Sequence, residues 1–274
     1  MPAHPIRYVD LNVRDLDRSV DFYTRLLDLT EDSRSNRDGR RRAALSAGPA
    51  TLRLQEIGAT APDSAWRADD LQKGFRHIGF KVADLDRRVA ALHDEGVRFH
   101  LEPLDATGGV RIAFFFDPDG ALLEFIQGDL DYHKVWDEGL VAAERAQPAP
   151  TTPRFDHVAV TVDRMPDTVD LYSSGLGFGV AGQLFHKSDP RGFEITYLHA
   201  QGTVLEVFTY TADKEETPWQ VGTETPGFQG VAFVDPDPAA AIARLTDAGA
   251  KPAGSVPGLV TDRDGFPVRV EAQR

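Results

Sequence analysis

An α+β fold assembled from four βαβββ modules is what this sequence predicts, and three observations carry the prediction. The helix-start pattern RDLDRSV (14–20) recurs almost unchanged as ADLDRRV (83–89), each directly after a strand-like run, YVDLNV or HIGFKV. Two looser copies, VDRMPDTV (162–169) and VDPDPAAA (234–241), hold the same place after HVAVTV and GVAF. The turns DPDG (117–120) and DRDG (262–265) then introduce comparable last strands, ALLEFI and FPVRVEA. Repetition on this scale signals stacked supersecondary units.

Each module opens on an apolar strand. An Asp then stands where a helix N-cap would accept from free backbone N–H groups, and apolar residues follow at helical spacing. The stripe is Val20, Tyr23 and Leu27 in module one, and Leu85, Val89 and Leu92 in module two. The helices run into LLDL, HDEGV, SGLGF and TDAGA, where Gly96, Gly175 and Gly249 can supply left-handed C-caps. In module one the basic cluster Arg37, Arg40, Arg41 and Arg42, beside Asp38 and Gly39, reads as a solvated hairpin or loop. Module two continues through VRFH, a Gly-containing turn, RIAFFF, DPDG and ALLEFI, with Phe114, Phe115 and Phe116 expected in a buried strand. Module three offers FEITYL, the turn HAQG and TVLEVFTY.

The modules span 6–57, 74–127, 154–210 and 227–273. The connection at 128–153 is the longest and carries KVWDEGLVAAERA, a helical candidate, then the Pro-rich QPAPTTP. That break divides the chain into an N-terminal domain, 1–127, a linker, 128–153, and a C-terminal domain, 154–274.

Composition narrows the function classes. The 274 residues are 41% hydrophobic and 27% charged, a globular balance. A formal charge of −13 disfavours nucleic acid as a partner, because phosphate binding needs a basic face. No apolar run approaches the roughly 20 residues needed to cross a bilayer, so no membrane partner is expected. The N-terminus starts a strand without a signal peptide's apolar stretch, and cytoplasmic location is the default expectation. With no cysteine, disulfides, thiolate nucleophiles and Cys-ligated metals are excluded.

The chemistry is concentrated in the two middle modules. GFRHIGFKV carries His77 and is followed by GALLEFI with Glu124; RFDHVAVTV carries His157 and is followed by GTVLEVF with Glu206. Two such units facing each other would present two imidazoles and two carboxylates, enough for a divalent metal with positions left for water or substrate. The equivalent points of the outer modules are Tyr8 with Arg53 and Gly230 with Arg269, none of them a plausible ligand here. A Glu on an apolar strand is costly to bury unpaired, which favours the metal reading over isolated structural residues. His133, Tyr132 and His199 read as surface or turn residues, and His186, His93 and His100 lack partners at ligand spacing. Trp66 and Trp136 lie in connections, to cover a cup mouth or to staple a linker. GLGFG (175–179) follows a helix instead of opening one, so it cannot cradle phosphate.

DLDRSVDFYTRLLDL (15–29), HIGFKVADLD (77–86), DPDGALLEF (117–125) and HVAVTV (157–162) resemble the vicinal oxygen chelate superfamily along essentially the whole chain. That superfamily includes glyoxalase I, methylmalonyl-CoA epimerase, extradiol ring-cleaving dioxygenases, fosfomycin-resistance enzymes and metal-free bleomycin-binding proteins. The resemblance implies that modules pair into two open, cup-shaped mixed sheets with the metal inside a cup. Two pairings are open. Modules one with two and three with four would follow the two-domain extradiol dioxygenases, whose iron ligands would fall at His157, Gly230 and Arg269. Pairing outer with outer and inner with inner would follow four-module glyoxalases I and bring His77, Glu124, His157 and Glu206 together. We favour the second, because it makes one complete site; a swapped dimer could do the same between chains.

The expectation is therefore a divalent-metal-dependent, glyoxalase-like lyase, isomerase or epimerase acting on a small molecule through vicinal oxygens. His77 and His157 would be fixed ligands, with Glu124 or Glu206 also the general base, and the metal Ni, Co, Zn, Mn or Fe. An Fe(II) extradiol dioxygenase of catechol-type substrates and a metal-free small-molecule binding protein are the alternatives. A homodimer would be unsurprising.

Overall fold

A computed structural model describes residues 3–254 and 256–272. Module one contains β1 (Tyr8–Val13), α1 (Leu16–Asp21) with a π-helical turn Phe22–Leu26, β2 (Thr30–Arg37), β3 (Arg40–Ser46) and β4 (Thr51–Glu56). Module two contains β5 (Gly74–Lys81), α2 (Leu85–Asp94), β6 (Phe99–Asp105), β7 (Arg111–Phe116) and β8 (Leu122–Gln127). The connection carries β9 (Lys134–Val135) and α3 (Glu138–Arg145). Module three contains β10 (Arg154–Thr161), α4 (Met165–Leu176), β11 (Gly179–Phe185), β12 (Glu194–Ala200) and β13 (Thr203–Thr209). Module four contains β14 (Gly227–Asp235), α5 (Pro238–Asp247), β15 (Lys251–Pro252), β16 (Leu259–Thr261) and β17 (Pro267–Ala272).

The first and last strands of each module pair in parallel, as the intervening helical crossover requires, and the other pairs are antiparallel. Modules join edge to edge through their first strands, outer with outer and inner with inner. The outer sheet runs β15-β16-β17-β14-β1-β4-β3-β2, and the inner sheet runs β6-β7-β8-β5-β10-β13-β12-β11-β9. The β5/β10 register is symmetric: His77 faces Ala159, Ile78 faces Val158, and Gly79 faces His157.

Strand alternation sorts each sheet into two faces. Ile78, Phe80, Leu123, Phe125, Val158, Val160, Leu205 and Val207 are fully buried in the main core with residues of all four modules. Helix-side contacts tie module one to module two, and three to four, across the sheet boundaries. Asp117 accepts from Tyr23 Oη at 2.9 Å and from the backbone N–H of Asp119 and Ala121; Asp262 accepts in the same way from Tyr172, Asp264 and Phe266. These bonds explain the repeated DPDG and DRDG turns.

Asp15, Asp84 and Asp237 cap their helices as expected, each accepting a backbone N–H. Module three departs from the pattern. Its N-cap is Arg164, with no side-chain bond, because its Asp163 falls one residue early and its N–H is instead bound by Asp264. Gly96 and Gly249 have positive φ after their helices, but Gly175 does not supply the cap expected of it. It lies inside α4, Gly177 (φ 74°) closes the helix, and a Cβ on Gly175 would come within 2.6 Å of Leu245 Cδ2. The missing side chain serves close packing of α4 on α5. The basic cluster is the β2–β3 hairpin, with Asp38 and Gly39 both at positive φ, as a tight primed turn requires.

Burial raises Asp117 to about 6 and Asp262 to about 7, from 3.8, despite the hydrogen bonds that oppose it. The folded chain therefore holds these protons more tightly than the unfolded chain. Their favourable contribution is complete below the unfolded value and is lost as pH rises through about 6 to 7. Relative to wild type, the Asp117→Asn/Asp262→Asn double variant should gain urea resistance between about pH 5 and about pH 8. A wild-type-to-variant difference that stays flat across that range would refute the assignment.

Candidate metal centre

His77 and His157 sit near the middle of the adjacent strands β5 and β10, and their Nε2 atoms lie 3.0 Å apart. Glu124 on β8 registers with Gly79, and Glu206 on β13 registers with Ala159, so each carboxylate lies beside a small residue. The Nε2 of His77 is 3.2 Å from Glu124 Oε2 and 3.3 Å from Glu206 Oε2; the Nε2 of His157 is 2.9 Å and 3.4 Å from the same atoms. One ligand atom from each of the four residues lies within 4.8 Å of the other three. All four are buried, between 2% and 6% exposed. Ligands ~2.1 Å from a shared ion are ~3.0 Å apart when adjacent in an octahedron and ~3.4 Å apart in a tetrahedron. The observed separations match that span.

The four groups are strongly coupled electrostatically. Burial alone would lower both histidines, yet Glu124 and Glu206 outweigh it and raise His77, and Glu206, Asp156 and Glu124 raise His157 well above its usual value. Burial would likewise raise Glu124, but His157 and His77 pull it down to about 2. Protons on the imidazoles therefore balance the buried carboxylates, and a divalent ion bound by neutral imidazoles would take the place of those protons. Glu206 Oε2 is fully buried without a hydrogen-bond partner among the described residues. This donor set fits a borderline divalent metal.

Surrounding groups orient the four. Asp156 Oδ2 accepts from His157 Nδ1 at 2.9 Å, which aims Nε2 at the cluster. Burial raises Asp156, but the His157 bond prevails and lowers it. Tyr197 faces Glu206 across β12 and β13; burial and then the Glu206 charge push its phenol well up. Phe114 holds the matching place opposite Glu124 and packs edge-on against His77, ring centroids 4.9 Å apart.

Two β-bulges set the residues just before the histidines. Phe155 pairs with Phe80 and His157 with Gly79, which leaves Asp156 as an extra residue on β10. Ala159 pairs with His77 and Val160 with Phe75, which leaves Arg76 as an extra residue on β5. A bulge re-aims a side chain, and Arg76 lines the cavity above the cluster with Phe114, Ile195, Phe208 and His186. Burial lowers Arg76 to about 10, which leaves it cationic at neutral pH. Both residues are visible in the repeat as the charged neighbour of each histidine, but the bulges that give them roles are tertiary.

The outer cup is built differently. Arg53 pairs with Asp10 and Glu271 and lies over the Tyr8 ring at 4.3 Å, so it serves ion pairing. Gly230 and Arg269 belong to the outer sheet and do not approach His157, which belongs to the inner one. His199 and Tyr132 are not the surface residues expected: His199 is 8% exposed on β12, and Tyr132 Oη bonds Glu144 at 2.7 Å and His199 at 3.3 Å. The packing of α3 against β11 brings Glu144 to this pair. Trp66 donates to Phe75 O, whereas Trp136 is exposed.

The family model described as the Glyoxalase/Bleomycin resistance protein/Dioxygenase superfamily matches residues 6–125 and 154–269. A lactoylglutathione lyase from Arabidopsis thaliana is 25% identical over 224 residues, 76% of this chain and 68% of that protein. A relative from Brassica oleracea var. gemmifera is 33% identical over 130 residues, 44% of this chain and less than half (43%) of its own length. The crystal structure of glyoxalase I from Zea mays matches with a TM-score of 0.72 at 21% identity, covering 98% of this chain and 92% of that one, a likeness of fold. Among the described residues no helix is long and apolar enough to cross a membrane.

A Cβ at Gly79 would lie 2.1 Å from His157 Cε1, so even alanine must displace that imidazole. Gly79→Ala should leave far-ultraviolet circular dichroism unchanged and weaken divalent-metal binding at least about 10-fold by calorimetry. Asp156→Asn should weaken it by about 10- to 100-fold. Unaltered affinity in both would remove His157 from the site.

Proposed function

The chain belongs to the Glyoxalase/Bleomycin resistance protein/Dioxygenase superfamily, and from that membership we propose a divalent-metal-dependent, glyoxalase-like enzyme. It would act as a lyase, isomerase or epimerase on a small substrate chelated through vicinal oxygens. The observation that carries this reading is the convergence of His77, Glu124, His157 and Glu206 on one buried point.

His77 and His157 would hold the ion through Nε2, each as a neutral imidazole, with Asp156 fixing the tautomer of His157 by its bond to Nδ1. Glu124 and Glu206 complete the set. The bound ion supplies Lewis-acid stabilisation of negative charge on a substrate oxygen. Glu206 is the better placed proton carrier, because its Oε2 makes no hydrogen bond while Tyr197 stands opposite. It takes a proton from the carbon next to the chelating oxygens and returns it at the neighbouring position. Glu124 stays close to both imidazoles. Phe114, Ile195 and Phe208 form the apolar part of the lining of a cavity of about 210 Å³ beside that proton.

Metal analysis after growth with mixed divalent metals should find one ion per chain in the wild type and none in His77→Ala or His157→Ala. Loss in only one variant would exclude a shared site, and no metal in the wild type would leave a binding protein. Because both histidines are raised above 6.5, protons should compete with the metal, and affinity should climb as pH passes through neutrality. Once a substrate is found, Glu206→Gln should lower kcat about 10²- to 10⁴-fold; an unchanged rate would reassign the base.

A further inference from the structure

Arg76 is only 2% exposed, and its guanidinium is only partly used. Nη1 donates to the backbone carbonyls of Arg67, at 3.2 Å, and Asp69. Nε and Nη2 are buried and have no hydrogen-bond partner among the described residues. Leaving buried charged donors unmade costs about 1–3 kcal/mol or more, and native interiors rarely tolerate it without a reason. Asp70 lines the same cavity, but it lies 3.5 Å from Arg191 Nη1 and makes no hydrogen bond to Arg76. Trp66 stands over the guanidinium at 5.5 Å and offers no acceptor.

Nε and Nη2 share one edge of the guanidinium, the edge that receives a carboxylate in two parallel bonds. Arg53 uses that same edge here: its Nε reaches Asp10 Oδ1 at 2.5 Å and its Nη2 reaches Oδ2 at 2.8 Å. Arg76 lines the cavity that also contains His77, Glu124 and Glu206, with Nε and Nη2 buried at its wall. Leu122, Ile126, Ile195 and Phe208 make the walls apolar. The cavity, about 210 Å³, is smaller than the ~300–1,000 Å³ typical of drug-sized ligands.

We propose that the Nε–Nη2 edge of Arg76 is a carboxylate subsite, and that the substrate is a small carboxylate with an apolar or aromatic body. This rests on the metal-dependent reading above for the other end of the substrate, whose vicinal oxygens reach the four-residue cluster. The bulge at Arg76 is then the device that turns the residue before a metal ligand into the cup.

The test compares calorimetric binding of 3,4-dihydroxybenzoate and its neutral amide to the metal-loaded wild type, Arg76→Gln and Arg76→Lys. Benzoate and benzamide are titrated in parallel into metal-free protein. The wild type should prefer each acid over its amide by about 10- to 100-fold, the worth of a charged bidentate contact. Arg76→Gln should reduce the preference to about one, and Arg76→Lys should keep part of it, with metal content unchanged in both. A wild type that binds acid and amide equally, or an Arg76→Gln variant that keeps the wild-type ratio, overturns the subsite. If no metal is held but the benzoate preference persists and vanishes in Arg76→Gln, the subsite stands and the metal reading falls.

Discussion

The edge-to-edge pairing of β5 with β10 is the constraint on which the rest of the molecule depends. It fixes His77 opposite Ala159 and His157 opposite Gly79, an antiparallel register symmetric about the Ile78/Val158 pair. Because side chains alternate with period two, a slip of one residue between β5 and β10 would put His77 and His157 on opposite faces of the sheet and break the site. The parallel partners β8 and β13 then deliver Glu124 and Glu206 beside Gly79 and Ala159. Small residues at those two positions are part of the site, since any side chain at Gly79 would occupy the place of the His157 ring.

The same architecture built twice yields two different cups. In the inner one, polarity is concentrated in four buried groups, two imidazoles and two carboxylates, that face one another. In the outer one, Arg53 stands where a ligand Glu would be and is ion-paired with both Asp10 and Glu271. Gly230 offers no donor, and a Cβ there would lie 3.1 Å from Pro267 O. Sheet pairing joins one with four and two with three, whereas Tyr23–Asp117 and Tyr172–Asp262 bonds join one with two and three with four. The four modules therefore form a closed ring of contacts, which holds the inner cup in register from both sides.

Six buried side-chain polar atoms have no partner among the described residues: Tyr210 Oη and Trp219 Nε1 lie apart, and the other four belong to residues of one cavity. Glu206 Oε2, Arg76 Nε and Nη2, and His186 Nε2 are buried without partners among the described residues, and their side chains all line the same cavity. A chain that otherwise answers its buried carboxylates with tyrosine and backbone donors, as at Asp117 and Asp262, keeps these groups unmade where a ligand would meet them.

The four-module plan, the strand parity and the identity of the four cluster residues were legible in the sequence, because each depends on local spacing. Helix starts, DxDG turns and alternating apolar strands repeat visibly, and a Glu between Leu123 and Phe125 or between Leu205 and Val207 breaks an apolar pattern. Which modules pair was not legible, since either arrangement buries the same faces; it was decided by β5 meeting β10 and β1 meeting β14. Gly175 looked like a helix cap and is a packing surface for Leu245, because that contact comes from a helix about 70 residues away. Asp156 and Arg76 were visible only as the charged neighbours of His157 and His77, and that they sit at bulges was not legible for the same reason. A bulge exists only between two paired strands, so its effect on a side chain is written in the pairing and not in either strand alone.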